Sequence, residues 1–205
     1  MNIAINAFVT FLLSISIHTS GQGVAAYIDK YDRFKIYDNG VEKQIEYLEI
    51  QSHKFGPGYV AYVDNAGEFK VYYRGKAQSL NINRPHFYQP TNNLLVYWDT
   101  KILRVLDNNK LQSFPNVLMG DFVFGDSVLG IIDRLDYFHA YYQGRFWEID
   151  QRPITAMAAG DNMLVYVDEA DEMVIFKHGE TEVAETEPPI YFEAGCNIVA
   201  YIDAY

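Results

Sequence analysis

The sequence has very little cysteine and far fewer basic than acidic residues. The one cysteine, Cys196, has no second thiol in the chain with which to form a disulfide. We expect it to be a small buried side chain. The net charge of −11 excludes a basic stripe and disfavours nucleic acid as a partner, because a polyanion would be repelled. No stretch reaches the ~20 apolar residues of a transmembrane helix, so we expect no membrane span in the mature chain.

Motifs that carry catalytic or cofactor chemistry are also missing. The five histidines have no metal-ligand spacing such as HExxH. The sequence contains no GxSxG elbow, no phosphate-binding loop and no dinucleotide fingerprint. We therefore predict no cofactor, no metal and no catalytic residue, although enzymatic activity is left open.

What the sequence does contain is a repeat of about 35 residues. A Tyr-x-Asp motif at the end of an apolar run recurs with steps of 35, 35, 34, 35 and 35 residues. Its aspartates are Asp29, Asp64, Asp99, Asp133, Asp168 and Asp203. One such residue per repeat predicts a structural role, in which each carboxylate accepts hydrogen bonds from the turn that follows its strand.

Glycine occupies two further columns of the repeat. One column lies eight residues before the aspartate and contains Gly21, Gly56, Gly125, Gly160 and Gly195. The other lies about eleven residues after it and contains Gly40, Gly75, Gly144 and Gly179. Both columns predict turns with positive φ. Small or β-branched residues beside a tyrosine column in the Asp strand predict a strand that is buried on both faces.

These columns predict an all-β fold, most simply a β-propeller of about 35-residue blades. We interpret each unit as an Asp strand, a turn, a second strand, a Gly turn, a third strand and a weak fourth strand. Five full repeats and two terminal part-repeats predict six blades. A β-solenoid and an open array of β-hairpins are the alternatives.

The first residues allow two interpretations. Residues 7–17 have the length of the apolar core of a signal peptide, and Thr19, Ser20 and Gly21 follow as a cleavage region requires. Residues 1–17 also fit the repeat and could supply an outer strand that closes the ring. In both cases residues 18–205 form a single propeller domain. The signal peptide predicts a periplasmic or secreted protein.

The segment VAYVDNAGEFKVYYRG (residues 60–75) resembles the blade repeat of TolB-like propellers. In that repeat an apolar strand ends near Asp, and a short turn leads to a Tyr-bearing strand and a Gly turn. The resemblance covers about half of each repeat. It implies a periplasmic, non-catalytic role in protein binding.

Ligand-binding residues are best sought where the repeat is broken, because shared architecture does not require those residues. Residues 83–91 introduce two prolines together with His86 and Tyr88. Residues 141–147 concentrate aromatic side chains around a Gly turn. Tyr and Trp beside Arg are suited to stacking on sugars or anchoring a protein. The candidate ligand-binding residues are therefore Tyr141, Tyr142, Arg145, Trp147, His86 and Tyr88.

The sequence as a whole favours a non-enzymatic, extracytoplasmic binding module with a protein or glycan partner. The first alternative is a carbohydrate hydrolase or lyase that uses channel carboxylates, with Asp99 and Asp133 as the candidate pair. The second is a fragment of a longer repeat array with no separate activity.

Overall fold

The computed structural model describes residues 24–99, 102–115, 117 and 120–203, and all of its regular structure is β-strand. The strands are β1 (Val24–Ile28), β2 (Phe34–Asp38), β3 (Val41–Glu46), β4 (Ser52–Phe55), β5 (Tyr59–Val63), β6 (Glu68–Tyr73), β7 (Lys76–Asn83), β8 (Phe87–Pro90), β9 (Leu94–Asp99), β10 (Ile102–Asp107), β11 (Lys110–Pro115), β12 (Asp121–Phe124), β13 (Val128–Ile132), β14 (Phe138–Tyr142), β15 (Arg145–Asp150), β16 (Ala156–Ala159), β17 (Met163–Val167), β18 (Met173–Lys177), β19 (Glu180–Glu185), β20 (Tyr191–Ala194) and β21 (Val199–Ile202).

The strands form six antiparallel sheets in chain order, each a simple meander. The first sheet is β1–β2–β3, and the sixth is β20–β21. The second to fifth sheets have four strands each: β4–β7, β8–β11, β12–β15 and β16–β19. No described strand pairs with a strand of another sheet, which is the topology of propeller blades and differs from a β-solenoid.

The strand that begins each four-stranded sheet differs from the prediction: the weak strand was expected to be the fourth of its unit, but it is the first strand of the sheet. The weak strand pairs with the Asp strand that follows it, as in the pairing of Phe55 with Val60, and so begins each four-stranded sheet. The reason is the connection: a turn of three residues joins β4 to β5, and such a short link forces the two strands to pair. The Asp strand is consequently the second strand of its sheet.

The core lies between neighbouring sheets, in four clusters of apolar side chains. The Asp strands of the second to fifth sheets are buried on both faces, as predicted. In the tyrosine column, Tyr62 and Tyr97 are completely buried, whereas Tyr27 and Tyr201 in the first and sixth sheets are 37% and 42% exposed. Stacking against a sheet on each side therefore accounts for the burial.

The Gly turns, which follow the strand after the Asp strand, have the predicted positive φ. Gln143 and Gly144 have φ of 47° and 80°, and Asn39 and Gly40 have φ of 50° and 82°. Two consecutive positive φ values define the two-residue hairpin loop whose twist matches that of the strands. We call the end of the sheets that carries these loops the Gly-turn face, and the opposite end the Asp-turn face.

The other glycine column has a different cause from the one expected. Gly125 and Gly160 do not have positive φ. A Cβ on Gly125 would lie 1.9 Å from the carbonyl oxygen of Gly160, and one on Gly160 would lie 2.1 Å from that of Gly195. Glycine is needed here because the backbones of successive sheets approach each other too closely for any side chain.

The all-β fold is confirmed, but a ring of six blades is not. The described sheets do not close on one another. Two positions of the sequence separate Asp99 from its partner Ile102, whereas three separate Asp64 from Glu68; this difference of one residue explains the single short step of the repeat. Residues 1–17 lie outside the described residues, so both of their interpretations stay predictions.

Candidate ligand-binding face

On the Asp-turn face, four of the six repeat aspartates organise their own turns. Asp133 Oδ1 accepts hydrogen bonds from the backbone N–H groups of Leu135 (2.8 Å) and Tyr137 (3.1 Å). The same arrangement occurs at Asp29 and Asp168, and Asp64 Oδ1 accepts from the N–H of Glu68. These carboxylates are therefore used inside the fold.

A basic residue of the next strand pairs with the aspartate of its own repeat. Lys70 Nζ lies 2.7 Å from Asp64 Oδ2, Arg104 Nη2 lies 3.2 Å from Asp99 Oδ2, and His139 Nε2 lies 3.1 Å from Asp133 Oδ2. Although burial opposes it, the hydrogen bonds from Leu135, His139 and Tyr137 lower the pKa of Asp133. A lowered pKa is the opposite of what a general acid needs.

The six predicted ligand-binding residues do not form one surface. Tyr141 is completely buried, and Tyr88 is buried with its hydroxyl donating to Ser52 Oγ at 2.9 Å. His86 is exposed at the Asp-turn face, whereas the β14–β15 loop next to Tyr142 lies on the Gly-turn face. Their role in ligand binding stays a prediction.

Arg145 and Trp147 follow that loop and contact each other. The Arg145 guanidinium lies 4.0 Å from the centre of the Trp147 ring. Trp147 is half-buried and packs against Phe176 of the fifth sheet, 6.4 Å between ring centres. Trp147 thus joins two sheets, and Arg145 covers its ring.

A polar cleft of about 430 Å³ opens on the Gly-turn face between the third and fourth sheets. We call it cleft A. Its lining is almost free of apolar side chains and consists of Asn93, Asp107, Asn108, Lys110, Gln112, Ser127, Tyr142, Gln143, Gly144 and Asn162. Of these residues, Tyr142 alone was predicted from the sequence to bind a ligand.

A second cleft of about 490 Å³, cleft B, repeats this construction two sheets earlier. Asp38 and Asn39 stand in the columns of Asp107 and Asn108, and Tyr73 and Arg74 stand in those of Tyr142 and Gln143. Cleft B is lined by Val24, Asp38, Asn39, Pro57, Gly58, Tyr73, Arg74, Gly75, Asn92 and Asn93. Asn93 lines both clefts, so they meet at that residue.

Each cleft lies beside a hydrogen bond between neighbouring sheets. Tyr72 Oη donates to Asp38 Oδ2 at 2.6 Å, and Tyr141 Oη donates to Asp107 Oδ2 at 2.9 Å. Burial and the nearby carboxylate raise the pKa of Tyr141, which keeps the hydroxyl protonated. Because 69 residues separate the two tyrosines, the clefts follow a two-repeat period inside the 35-residue one.

The junction between the second and third sheets carries a hydrogen bond between two amide side chains. Gln78 Nε2 donates to Asn109 Oδ1 at 2.7 Å across that junction. Gln112 occupies the column of Gln78 one repeat later, but its side chain makes no hydrogen bond within the described residues. The same residue type thus bridges one junction and lines cleft A at the next.

The repeat is shared with a known family of propellers. A sequence model described as "10-bladed beta propeller domain" matches residues 18–205. The chain belongs to this family. The match confirms the propeller repeats, but not the TolB-like class in particular. The family description counts ten blades, so the predicted number of six is not confirmed. No match was found among curated protein sequences.

Several solved structures match most of this chain at low sequence identity. Human WBSCR16 has 7% identity and a TM-score of 0.49, over 90% of this chain and 71% of that one. The CRINKLY WD40 ectodomain of the Arabidopsis thaliana receptor kinase ACR4 has 11% identity and a TM-score of 0.49, over 90% and 73%. Saccharomyces cerevisiae Prp20p has 9% identity and a TM-score of 0.45, over 90% and 68%.

In residues 24–99, 102–115, 117 and 120–203, no three His, Cys, Asp or Glu side chains are grouped so that they could hold a metal ion. The same part of the chain has no helix with the length and apolarity needed to cross a membrane. Cys196 was expected to be buried, but it is free and exposed in the turn between β20 and β21, in the last of the described sheets.

Proposed function

We propose that this chain is a non-enzymatic binding module that holds a protein or glycan ligand on its Gly-turn face, in clefts A and B. The observation that carries the proposal is the recurrence of the cleft. The same columns of the repeat line two cavities, whereas Gln78 and Asn109 are hydrogen-bonded to each other across the junction between the second and third sheets. Both cavities have the size of small-ligand sites in proteins.

The two faces of the sheets differ in how their polar groups are used. On the Asp-turn face, carboxylates are bonded to backbone N–H groups and to basic side chains. On the Gly-turn face, the side chains of Lys110, Gln112 and Asn162 have no hydrogen-bond partner within the described residues. Polar groups without an internal partner are available to a ligand, which supports the Gly-turn face as the binding face.

The hydrolase or lyase alternative gains no support from the positions of its carboxylates. Asp133 is bonded to His139 and to its own turn, and Asp99 is paired with Arg104. A glycosidase pair requires one carboxyl group with a raised pKa, whereas the pKa of Asp133 is lowered. The binding module is therefore the function that we retain.

An extracytoplasmic location and a TolB-like class belong to the same proposal. The location rests on the apolar residues 7–17 and the small residues after them. N-terminal sequencing of the chain from its own cells tests it: a mature terminus near residues 19–22 supports export with cleavage, and an intact Met1 argues against it.

Binding on the Gly-turn face can be tested with a pair of matched variants. The cleft variant is Gln112→Ala with Asn162→Ala, and the control is Gln78→Ala, which stands in the column of Gln112 but outside both clefts. The full chain is immobilised and exposed to a glycan array and to extracellular proteins of the source cells. A ligand that the wild type and the control retain and the cleft variant loses supports the proposal, whereas equal retention by all three contradicts it.

A further inference from the structure

The side chains of cleft A point to one ligand chemistry, on the premise of the proposed function. We infer that clefts A and B form one groove for a neutral oligosaccharide, with a sugar unit in each cleft and the chain passing Asn93. The first support is the lining of cleft A, where amides and hydroxyls predominate and the only charged side chains are one Asp and one Lys.

Several side chains of the lining use one of their polar atoms in a hydrogen bond within the protein, and their other polar atom can bind a ligand. Asn108 Nδ2 donates to Asp107 Oδ1, which leaves the amide oxygen of Asn108. Gln143 Nε2 donates to the hydroxyl of Tyr142, which leaves the amide oxygen of Gln143. Beside these acceptors, Gln112 and Asn162 have both amide atoms without a partner in the described residues. Closely spaced donors and acceptors match the vicinal hydroxyls of a sugar, each of which donates and accepts.

Other ligand classes fit this lining less well. A phosphate-bearing or polyanionic ligand needs several cations, and cleft A has only the ammonium group of Lys110. An apolar ligand or a hydrophobic peptide anchor needs an apolar pocket, and the aromatic ring nearest the cleft, that of Tyr142, is 8% exposed. A neutral ligand rich in hydroxyl groups is what remains.

The contact between the two clefts extends the inference from a single sugar to a chain. Cleft B repeats the Asp–Asn loop and the tyrosine of cleft A, and Asn93 lines both. In cleft A, Asn93 is held by its 2.7 Å hydrogen bond to Ser127 Oγ. A ligand that occupies both clefts gains the second set of contacts without a second loss of translational freedom, so the affinity should rise with chain length.

The experiment is calorimetric titration of the full chain with neutral gluco-, xylo-, manno- and chito-oligosaccharides of one to six units. We expect at least one series to bind, with an affinity that rises about tenfold or more once the chain fills both clefts. Gln112→Ala and Asn162→Ala should each weaken binding of every length by about tenfold, the effect of one lost hydrogen bond. Gln78→Ala should leave it unchanged.

A variant in cleft B separates the two subsites. Arg74→Asn introduces the residue found at Asn39 and Asn108 and keeps the loop geometry, since Asn tolerates positive φ. It should change the affinity for the longer oligosaccharides and leave that for the shortest binding member unaltered. An equal effect on all lengths would overturn the two-cleft groove.

The outcomes distinguish this inference from the proposed function. If no neutral series binds while a protein ligand is captured by the wild type and lost by the cleft variant, the oligosaccharide inference is wrong and the binding face stands. If an oligosaccharide binds equally to the wild type and to the cleft variant, both are wrong.

Discussion

The Tyr141 hydroxyl donates a 2.9 Å hydrogen bond to Asp107 Oδ2, and the two residues belong to neighbouring sheets, 34 positions apart. The bond joins the third and fourth sheets directly beside cleft A, whose lining includes Asp107. Tyr141 therefore contributes to the site by fixing Asp107 from within the core. Sheet junctions on the Gly-turn face are consequently both structural joints and the walls of the candidate site.

Removal of that hydroxyl should destabilise the protein. Among the described residues, Tyr141→Phe leaves the half-buried carboxylate of Asp107 with the Asn108 amide as its one side-chain donor, and a hydrogen bond to a charged group contributes about 1.5–3 kcal/mol. Urea unfolding followed by tyrosine fluorescence and circular dichroism measures the loss. In the control Tyr142→Phe, the hydroxyl only accepts from the exposed Gln143, so we expect a change within about 0.5 kcal/mol. Equal losses in the two variants would show that the bond between sheets contributes nothing of its own.

Because successive sheets approach each other closely, we expect alanine to destabilise the protein at one glycine of the column and to be tolerated at another. Gly160→Ala places a Cβ 2.1 Å from the Gly195 carbonyl oxygen, so the fourth, fifth and sixth sheets must shift, at a cost of at least about 1–3 kcal/mol. Gly195→Ala meets nothing nearer than 3.4 Å and should be tolerated. Melting temperatures of the two variants compare them directly. A similar melting temperature for both would contradict the close-approach explanation.

Acid should weaken the fourth sheet through Asp133. Because the pKa of this carboxyl is lower in the folded chain than in the unfolded one, its contribution to the free energy of unfolding is complete above the unfolded pKa of about 4 and is lost as the pH falls through the folded pKa. Asp133→Asn should therefore be less stable than wild type at pH 7, and the difference should shrink as the pH falls below about 4. Urea midpoints across this range test it.

Asp136→Asn is the control for the acid experiment. Asp136 is exposed in the same turn and makes no ion pair in the described residues, and Asn tolerates its φ of 62°. This variant should keep the pH dependence of the wild type. If instead the Asp133 variant and the wild type lose stability in parallel as the pH falls, the carboxylate does not stabilise the turn in its charged form.

The repeat could be predicted from the sequence because its signals are local. An Asp at the end of a strand and a Gly in a loop each specify the backbone within a few residues. The turns at Asp64 and Gly75 can therefore be predicted without knowledge of the tertiary structure. Which strand begins each sheet could not be predicted in this way. The weak strand β4 has no pattern of its own, and its partner is decided by the short link to Tyr59.

The candidate site was mostly missed for a different reason. Aromatic residues in 141–147 were interpreted as ligand contacts, but a tyrosine such as Tyr141 in a strand covered on both faces is buried by stacking. The sequence did hold a usable signal, the alternation of Asp38, Tyr73, Asp107 and Tyr142 in one column. Its meaning depends on which sheets are neighbours, and this is a property of the fold.

Hydrogen exchange measured by mass spectrometry tests most directly whether the Gly-turn face binds the ligand. The full chain is compared alone and with the longest neutral oligosaccharide that binds in calorimetry. We predict slower exchange in the Gly-turn segments 91–93, 107–112 and 142–145, and unchanged exchange in the Asp-turn segments 133–137 and 168–172. Protection confined to the Asp-turn segments would contradict the assignment, because the ligand would then occupy the opposite end of the sheets.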